Sequence, residues 1–133
     1  TKHPVIALIT EWMDKKGLTQ IRNENSDKGG TMRLGSQICI LEKNSKMSKM
    51  YKSRKISERH RHRYEFNSNY LEKIKSKGMN IVGFSEDKNL VEAIELKGHK
   101  WFVGCQFHPE FTSDPRTGHP LFNGFIRAAK VTK

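Results

Sequence analysis

The segment Gln106–Phe111, QFHPEF, places a histidine and a carboxylate two residues apart, with a proline between them. A carboxylate held against one imidazole nitrogen leaves the other nitrogen free to act as a base on a nucleophile. His108 is therefore a candidate general base, and Glu110 is a candidate for the group that orients it. Most His-x-Glu patterns are only an exposed loop histidine beside an acidic residue. The pattern alone therefore does not establish catalysis.

The run Arg59–Arg63, RHRHR, is a second candidate site. In a strand, the three arginines face one side, and His60 and His62 face the other. Three guanidiniums on one face suit a carboxylate or phosphate ligand. Ion pairing with the flanking Glu58 and Glu65 accounts for the arginines equally well. The two histidines have no third metal ligand nearby in the sequence, so we predict no metal site.

The glycine-rich segment Gly29–Gly35, GGTMRLG, matches neither the P-loop nor the dinucleotide-binding fingerprint. It lacks the Gly-Lys-Ser/Thr ending of the first and the strand–glycine–helix context of the second. A tight turn that leads into a strand is the better interpretation.

The two cysteines, Cys39 and Cys105, lie in apolar, strand-like segments. Such cysteines are usually buried thiols in a reducing compartment, and two alone make no zinc site. No apolar run approaches the roughly 18 residues that a membrane span needs. We therefore expect a cytoplasmic protein with no membrane partner.

The net charge of +11 is concentrated in one stretch, because residues 43–63 contain nine Lys and Arg against Glu58 alone. Such a stretch can bind the phosphate backbone of a nucleic acid, so a nucleic-acid-binding module is the alternative function from a different class. A solvated face is the commoner explanation, and no ladder of aromatic residues accompanies the charge. We expect no nucleic-acid partner.

Hydrophobic periodicity and turn residues predict a mixture of strands and helices, which favours an α/β or α+β layer structure. Residues 10–31 are expected to form a long surface loop with a short ribbon near Thr19–Arg22. Strands are predicted at Pro4–Ile9, Thr31–Leu41 (one strand, or two joined near Gly35), Ile56–Phe66, Asn80–Phe84, Leu90–Leu96 and Trp101–Phe107.

Three helices are predicted between and after these strands: Ser45–Lys52, one that Asn67 or Ser68 caps and that runs to Lys77, and one with Pro120 in its first turn. The last helix is expected to bury Leu121, Phe122, Phe125, Ile126 and Ala129. His108 and Glu110 directly follow a strand, where open α/β sheets carry their chemistry. In extended backbone their side chains point the same way.

Several segments resemble, in order and spacing, the bacterial members of the CTP synthase family. They are PVIALITEW (4–12), GGTMRLG (29–35), ERHRHRYE (58–65), LVE (90–92), QFHPEF (106–111) and HPLFNGF (119–125). QFHPEF alone would indicate only a class I glutamine amidotransferase, whereas ERHRHRYE and GGTMRLG together point to this family. The resemblance covers essentially all 133 residues.

The resemblance implies an α/β fold, an incomplete class I glutamine amidotransferase domain with a flavodoxin-like sheet. Residues 1–133 would be its C-terminal portion, with the nucleophile segment and a synthetase domain upstream. The family aminates UTP to CTP with ATP and ammonia from L-glutamine. ATP and Mg²⁺ would be used by the synthetase domain and GTP would act as allosteric activator, so we expect no cofactor in this chain. A homotetramer is expected for the intact enzyme.

The resemblance also assigns roles to residues of this chain. His108 and Glu110 match the base and the orienting carboxylate of the family's Cys-His-Glu triad. Arg63 matches the arginine that holds the α-carboxylate of glutamine. Arg22 falls in the segment that the family links to activation by GTP.

One departure from the family pattern concerns the nucleophile, a cysteine on a sharp turn between glycines. Neither Cys39 nor Cys105 has that setting, so we interpret both as packing residues and expect the isolated chain to be inactive. A stand-alone, degenerate domain used only for protein contacts is a third possibility.

Overall fold

A computed structural model describes residues 1–8 and 32–130, and the statements below concern those residues. The strands are β1 (Ile6–Leu8), β2 (Arg33–Leu41), β3 (Lys55–His62), β4 (Tyr64–Phe66), β5 (Met79–Ser85), β6 (Val91–Leu96) and β7 (Val103–Cys105). The helices are α1 (Lys46–Tyr51), α2 (Leu71–Lys75) and α3 (Pro120–Lys130), and 3₁₀ turns span Ser68–Tyr70 and Pro109–Phe111. The predicted mixture of strands and helices is confirmed.

Five of the strands form one sheet in the order β3-β2-β5-β6-β7, and β1 pairs with β4 in a second, two-stranded sheet. Each of these pairs is antiparallel. The main apolar core lies against the larger sheet and α1, and it contains Cys39, Leu41, Met47, Ile56, Val82, Ala93, Phe107 and Leu121. The sheet therefore supplies a rigid frame on which side chains of distant segments meet.

β2 is one continuous strand, so of the two possibilities for this segment the single strand is correct. Gly35 pairs with His60 of β3 and has a φ of +88°, a conformation that glycine adopts at little cost. The predicted ribbon near Thr19–Arg22, and Arg22 itself, lie outside the described residues.

β3 alternates strictly between exposed and buried residues, as a strand with one solvated face does. Its buried positions hold Ile56, but also Glu58 and His60. Charged and polar side chains are rarely buried without partners that offset the loss of water. The inward face of β3 is therefore the part of the sheet where a functional cluster is most expected.

The prediction for the last helix is wrong for most of its apolar face. Leu121 is buried, whereas Phe122, Phe125, Ile126 and Ala129 are exposed. The reason is that α3 contacts α1 and its surroundings along one narrow edge. At Gly124 an added Cβ would lie 2.2 Å from the sulfur of Met50 and 2.6 Å from the ring of Trp101.

The other elements differ from expectation mainly in length. β1 and β7 are each three residues long and thus shorter than the predicted strands. The helix after Asn67 begins as a 3₁₀ turn, and the Asn67 side chain accepts a hydrogen bond from the Asn69 N–H. None of the helices described here has the length and apolar character that crossing a membrane requires.

Candidate active site

His108 and Glu110 form a direct hydrogen bond of 2.7 Å between Nδ1 and Oε1. The expectation that extended backbone would align them is wrong, because Pro109–Phe111 is a 3₁₀ turn that folds Glu110 back towards the imidazole. The bond from His108 lowers the pKa of the Glu110 carboxyl, which therefore remains ionised. With Glu110 on Nδ1, the opposite nitrogen, Nε2, is positioned for proton exchange with a nucleophile.

The turn that carries this pair is attached to β3. The His108 N–H donates to the carbonyl oxygen of Arg59 over 2.8 Å. At the other end of the turn, the Thr112 hydroxyl donates to Glu58 Oε2 over 2.6 Å. Because Glu58 and Arg59 are adjacent in the strand, both ends of the turn are held at one place in the sheet.

Glu58 is the acceptor at the centre of a buried cluster and is only 3% exposed. Its Oε1 accepts hydrogen bonds from the Tyr51 hydroxyl at 2.7 Å and from His119 Nε2 at 2.9 Å. Burial and the bond to Glu58 raise the pKa of the Tyr51 hydroxyl, which therefore stays protonated. The suggested pairing of Glu58 with the arginines of β3 is replaced by these hydrogen bonds in the structure.

A second buried cluster is centred on Arg33 of β2. Arg33 Nη1 contacts Glu92 Oε1 at 2.5 Å and Glu65 Oε2 at 3.6 Å, and Arg33 Nε donates to Gln37 Oε1 at 2.8 Å. Arg33 and Glu65 are each 3% exposed, and Glu92 is completely buried. One guanidinium thus faces two carboxylates in a region with little water.

His60 and His62 extend this network towards the surface. His62 Nδ1 lies 3.0 Å from the Tyr64 carbonyl oxygen and therefore carries the hydrogen, so that His62 Nε2 accepts from His60 Nδ1 at 2.8 Å. His60 Nε2 is then an acceptor and lies 3.8 Å from Glu92 Oε2. These two atoms are buried and have no hydrogen-bond partner among the described residues.

The environment of these groups favours their neutral forms. Burial raises the pKa of Glu92 to about 7, although the neighbouring Arg33 opposes the shift. Burial, with a further contribution from the positive charge of Arg33, lowers the pKa of His60 to about 3. A proton on Glu92 would also face the unpaired His60 nitrogen, which agrees with the raised pKa.

The comparison with family models matches residues 11–128 to the class I glutamine amidotransferases. The chain belongs to the class I glutamine amidotransferase family. The histidine–glutamate pair therefore lies in a domain of a family defined by the use of glutamine.

One solved structure adds detail to this amidotransferase assignment. The chain is similar to Trypanosoma brucei CTPS, in the structure of its glutaminase domain with bound acivicin, with a TM-score of 0.77 and 34% sequence identity. The similarity covers 98% of this chain and 47% of that chain, so the amidotransferase chain described here spans about half of that relative. The resemblance to the CTP synthase family is confirmed.

The arginine run of the amidotransferase has the two predicted faces only over its first four residues, which belong to β3. Arg59 and Arg61 are exposed on β3, whereas His60 is buried and His62 nearly so. Arg63 is exposed and follows the end of β3. It lies four residues beyond the attachment point of His108, a distance of at most about 13 Å along the backbone.

The cysteines of the amidotransferase are packing residues, as predicted. Both thiols are free; Cys39 is fully buried in β2 and Cys105 is half-buried in β7. Burial raises the pKa of each thiol to about 12, so neither forms a thiolate readily near neutral pH. Within residues 1–8 and 32–130, no group of three or more His, Cys, Asp or Glu side chains is arranged to hold a metal ion.

Two parts of the site were missed by sequence reasoning, namely the clusters around Glu58 and Glu92. The burial of Glu58 could have been predicted, because Glu58 lies two residues after the apolar Ile56 and therefore on the same face of β3. Glu92 lies in an apolar strand segment, where an acidic residue indicates a buried partner. The identity of that partner, Arg33, was not available from local sequence because 59 residues separate the two.

The raised pKa of Glu92 leads to a test by Glu92→Gln, which keeps the shape and offers an N–H to His60. A group whose native pKa exceeds its unfolded value contributes stability that is lost as the pH rises through the native pKa. Between pH 6.5 and 7.5 we expect the free energy of unfolding of the wild type to fall relative to the variant by an amount on the order of 1 kcal/mol. Urea unfolding at several pH values measures this difference.

Glu86→Gln is the matched control, since Glu86 pairs with Lys55 at the surface. Its effect should not vary with pH over the same interval. Burial lowers the pKa of His60 to about 3, far below this interval, so the folded protein keeps His60 neutral, and its titration in the unfolded chain is common to all three proteins. Parallel curves for the wild type and Glu92→Gln would mean that Glu92 is ionised throughout.

Proposed function

We propose that this chain is the C-terminal part of the glutaminase domain of a CTP synthase, which supplies ammonia for the ATP-dependent amination of UTP to CTP. The observation that carries the proposal is the 2.7 Å hydrogen bond between His108 and Glu110 in a class I glutamine amidotransferase chain. The 34% identity to a CTPS glutaminase domain supports the choice of CTP synthase within that family.

In the proposed reaction, Arg63 binds the α-carboxylate of L-glutamine through its guanidinium. A cysteine thiol of the intact enzyme gives its proton to His108 Nε2, and the thiolate attacks the amide carbon. His108 returns the proton to the nitrogen as the carbon–nitrogen bond breaks and ammonia leaves. Water then hydrolyses the glutamyl thioester to glutamate and frees the thiol.

The nucleophile in this proposal is neither cysteine of the chain. Cys39 and Cys105 lie within strands, with thiol pKa values of about 12. A nucleophilic cysteine needs an exposed, electropositive setting that favours the thiolate. We therefore propose that the thiol comes from another part of the intact enzyme and that the isolated chain is inactive.

Further parts of the proposal concern the intact enzyme. ATP and Mg²⁺ would act in its synthetase domain, outside this chain, and the enzyme would be a cytosolic homotetramer. GTP would activate glutamine use through the segment that includes Arg22, a residue outside the described part of the chain.

The roles of His108 and Glu110 differ in kind, and substitutions in the full-length enzyme should separate them. His108→Ala removes the group that carries the proton and should abolish nearly all glutamine-dependent CTP synthesis. Glu110→Gln keeps the shape but loses the charge that supports the imidazolium, so it should leave a larger residual rate. General acid–base catalysis typically contributes about 10²–10⁴-fold, so steady-state kinetics can resolve the two losses.

Synthesis from added ammonia is the control for both variants, because ammonia bypasses the glutamine site, and it should persist. Equal losses for the two variants would mean that Glu110 acts on the substrate more directly. Unchanged glutamine use in both would contradict the triad assignment.

Arg63→Ala in the full-length enzyme should weaken the use of glutamine and preserve the use of ammonia. Loss of a charge-assisted, bidentate contact to a carboxylate should raise the KM for glutamine by at least about tenfold. Arg61→Ala is the matched control, because Arg61 is an exposed arginine of the same run. Equal effects of Arg63→Ala on both nitrogen sources would show that Arg63 is structural.

The cysteines provide a test of where the nucleophile lies. Cys39→Ala and Cys105→Ala in the full-length enzyme should leave the kcat for glutamine hydrolysis unchanged per folded enzyme, because neither buried thiol takes part in the reaction. Thermal unfolding is measured in parallel, since Cys39→Ala leaves a small void in the core. A loss of turnover in either variant without a loss of folded protein would refute our placement of the nucleophile.

A further inference from the structure

We propose that Thr112 is a positioning residue for Glu110. Its hydrogen bond to the buried carboxylate of Glu58 fixes the end of the 3₁₀ turn Pro109–Phe111, here called the catalytic turn, and so keeps Glu110 within hydrogen-bond distance of His108. The inference rests on the proposed function, because it concerns the geometry of the same histidine–glutamate pair. It adds to that function two residues, Thr112 and Glu58, that do not touch the substrate but hold the turn on which the histidine–glutamate pair lies.

The first argument is the way in which the turn is held. Only three residues, Pro109–Phe111, form the 3₁₀ turn, and Thr112 directly follows it. The His108 backbone is fixed to Arg59 at the start of the turn, but a bond at one end leaves the other end free to pivot. The Thr112 N–H bonds within the turn, to the Pro109 carbonyl, so its hydroxyl is the group that reaches β3.

The second argument is that Glu110 depends on the turn for its position. The Glu110 side chain is 54% exposed, so packing constrains it little. Its distance from His108 is therefore set mainly by the backbone of the turn. Catalytic groups have to be held within about 0.5 Å of the productive geometry, so a small pivot of this backbone would matter.

The third argument is that Glu58 is a firm anchor. It lies within the β2–β3 ladder opposite Gln37, and its Oε1 is already held by Tyr51 and His119. The other oxygen, Oε2, is the atom that accepts from Thr112. The Thr112 bond of 2.6 Å is in the range of a strong, charge-assisted hydrogen bond from a hydroxyl to a carboxylate.

The test compares two substitutions in the full-length enzyme that each remove one hydroxyl donor from Glu58. Thr112→Val removes the donor that leads to the catalytic turn, and the exposed position of Thr112 accepts Val without repacking. Tyr51→Phe removes a donor that comes from α1 and bonds to the other oxygen of this carboxylate, Oε1, which His119 still holds. Thr112→Ser keeps the hydroxyl and is the conservative variant.

We expect Thr112→Val to lower the kcat for glutamine hydrolysis about tenfold, a part of the full acid–base contribution. The KM for glutamine and the rate of synthesis from ammonia should change less than twofold. Thr112→Ser should restore most of the lost kcat, and Tyr51→Phe should leave kcat within twofold of the wild type. Thermal unfolding shows whether the two donor deletions cost comparable stability.

An unchanged kcat in Thr112→Val would overturn the proposal. So would an equal loss of kcat in Tyr51→Phe, because the effect would then follow the stability of the Glu58 cluster. Failure of Thr112→Ser to restore activity would likewise exclude the hydroxyl as the positioning group. A wild-type enzyme that hydrolyses no glutamine would instead contradict the proposed function, so the two failures are distinguishable.

Discussion

The buried guanidinium of Arg33 is the constraint on which the rest of this structure depends. Arg33 belongs to β2 and Glu92 to β6, and β5 lies between these strands in the sheet. The ion pair therefore spans a neighbouring strand, and the contact to Glu65 of β4 connects the second sheet as well. Removal of one partner from such a pair leaves an uncompensated buried charge, which is far more costly than a lost surface contact.

The two faces of β3 differ because alternate residues of the strand point towards solvent and towards this buried network. Outward, the strand presents Arg59 and Arg61 to solvent, and Arg63, the proposed glutamine-binding residue, directly follows its end. Inward, it presents Glu58 to the turn that carries His108 and Glu110, and His60 to the network of Glu92. A strand of eight residues thus leads to the proposed substrate-binding arginine and also supports the candidate catalytic pair.

The hydrogen-bonded pair could be predicted from the sequence because His108 and Glu110 are only two residues apart in the chain. The form of the turn was not predicted, since Pro109 suits the first position of a helical turn as well as extended backbone. The apolar face of α3 was also visible in the sequence. Periodicity identifies an apolar face but does not specify what covers it, which explains the wrong expectation for Phe122 and Phe125. The partners of Glu58 and Glu92 arise from tertiary contacts between distant segments, which local patterns do not encode.

The sheet order has a kinetic consequence for the site. The β2–β3 pair and the β5–β6–β7 meander each consist of strands close in sequence, and in the described sheet these two halves are joined by the β2–β5 ladder. That ladder has three residue pairs, from Cys39 with Ser85 to Leu41 with Gly83. Forming this ladder closes the long chain segment between β2 and β5. Its closure carries an entropic cost that the pairing of strands close in sequence avoids. Since His108 follows the meander and Glu58 belongs to the other half, the site is complete only when these two halves have joined.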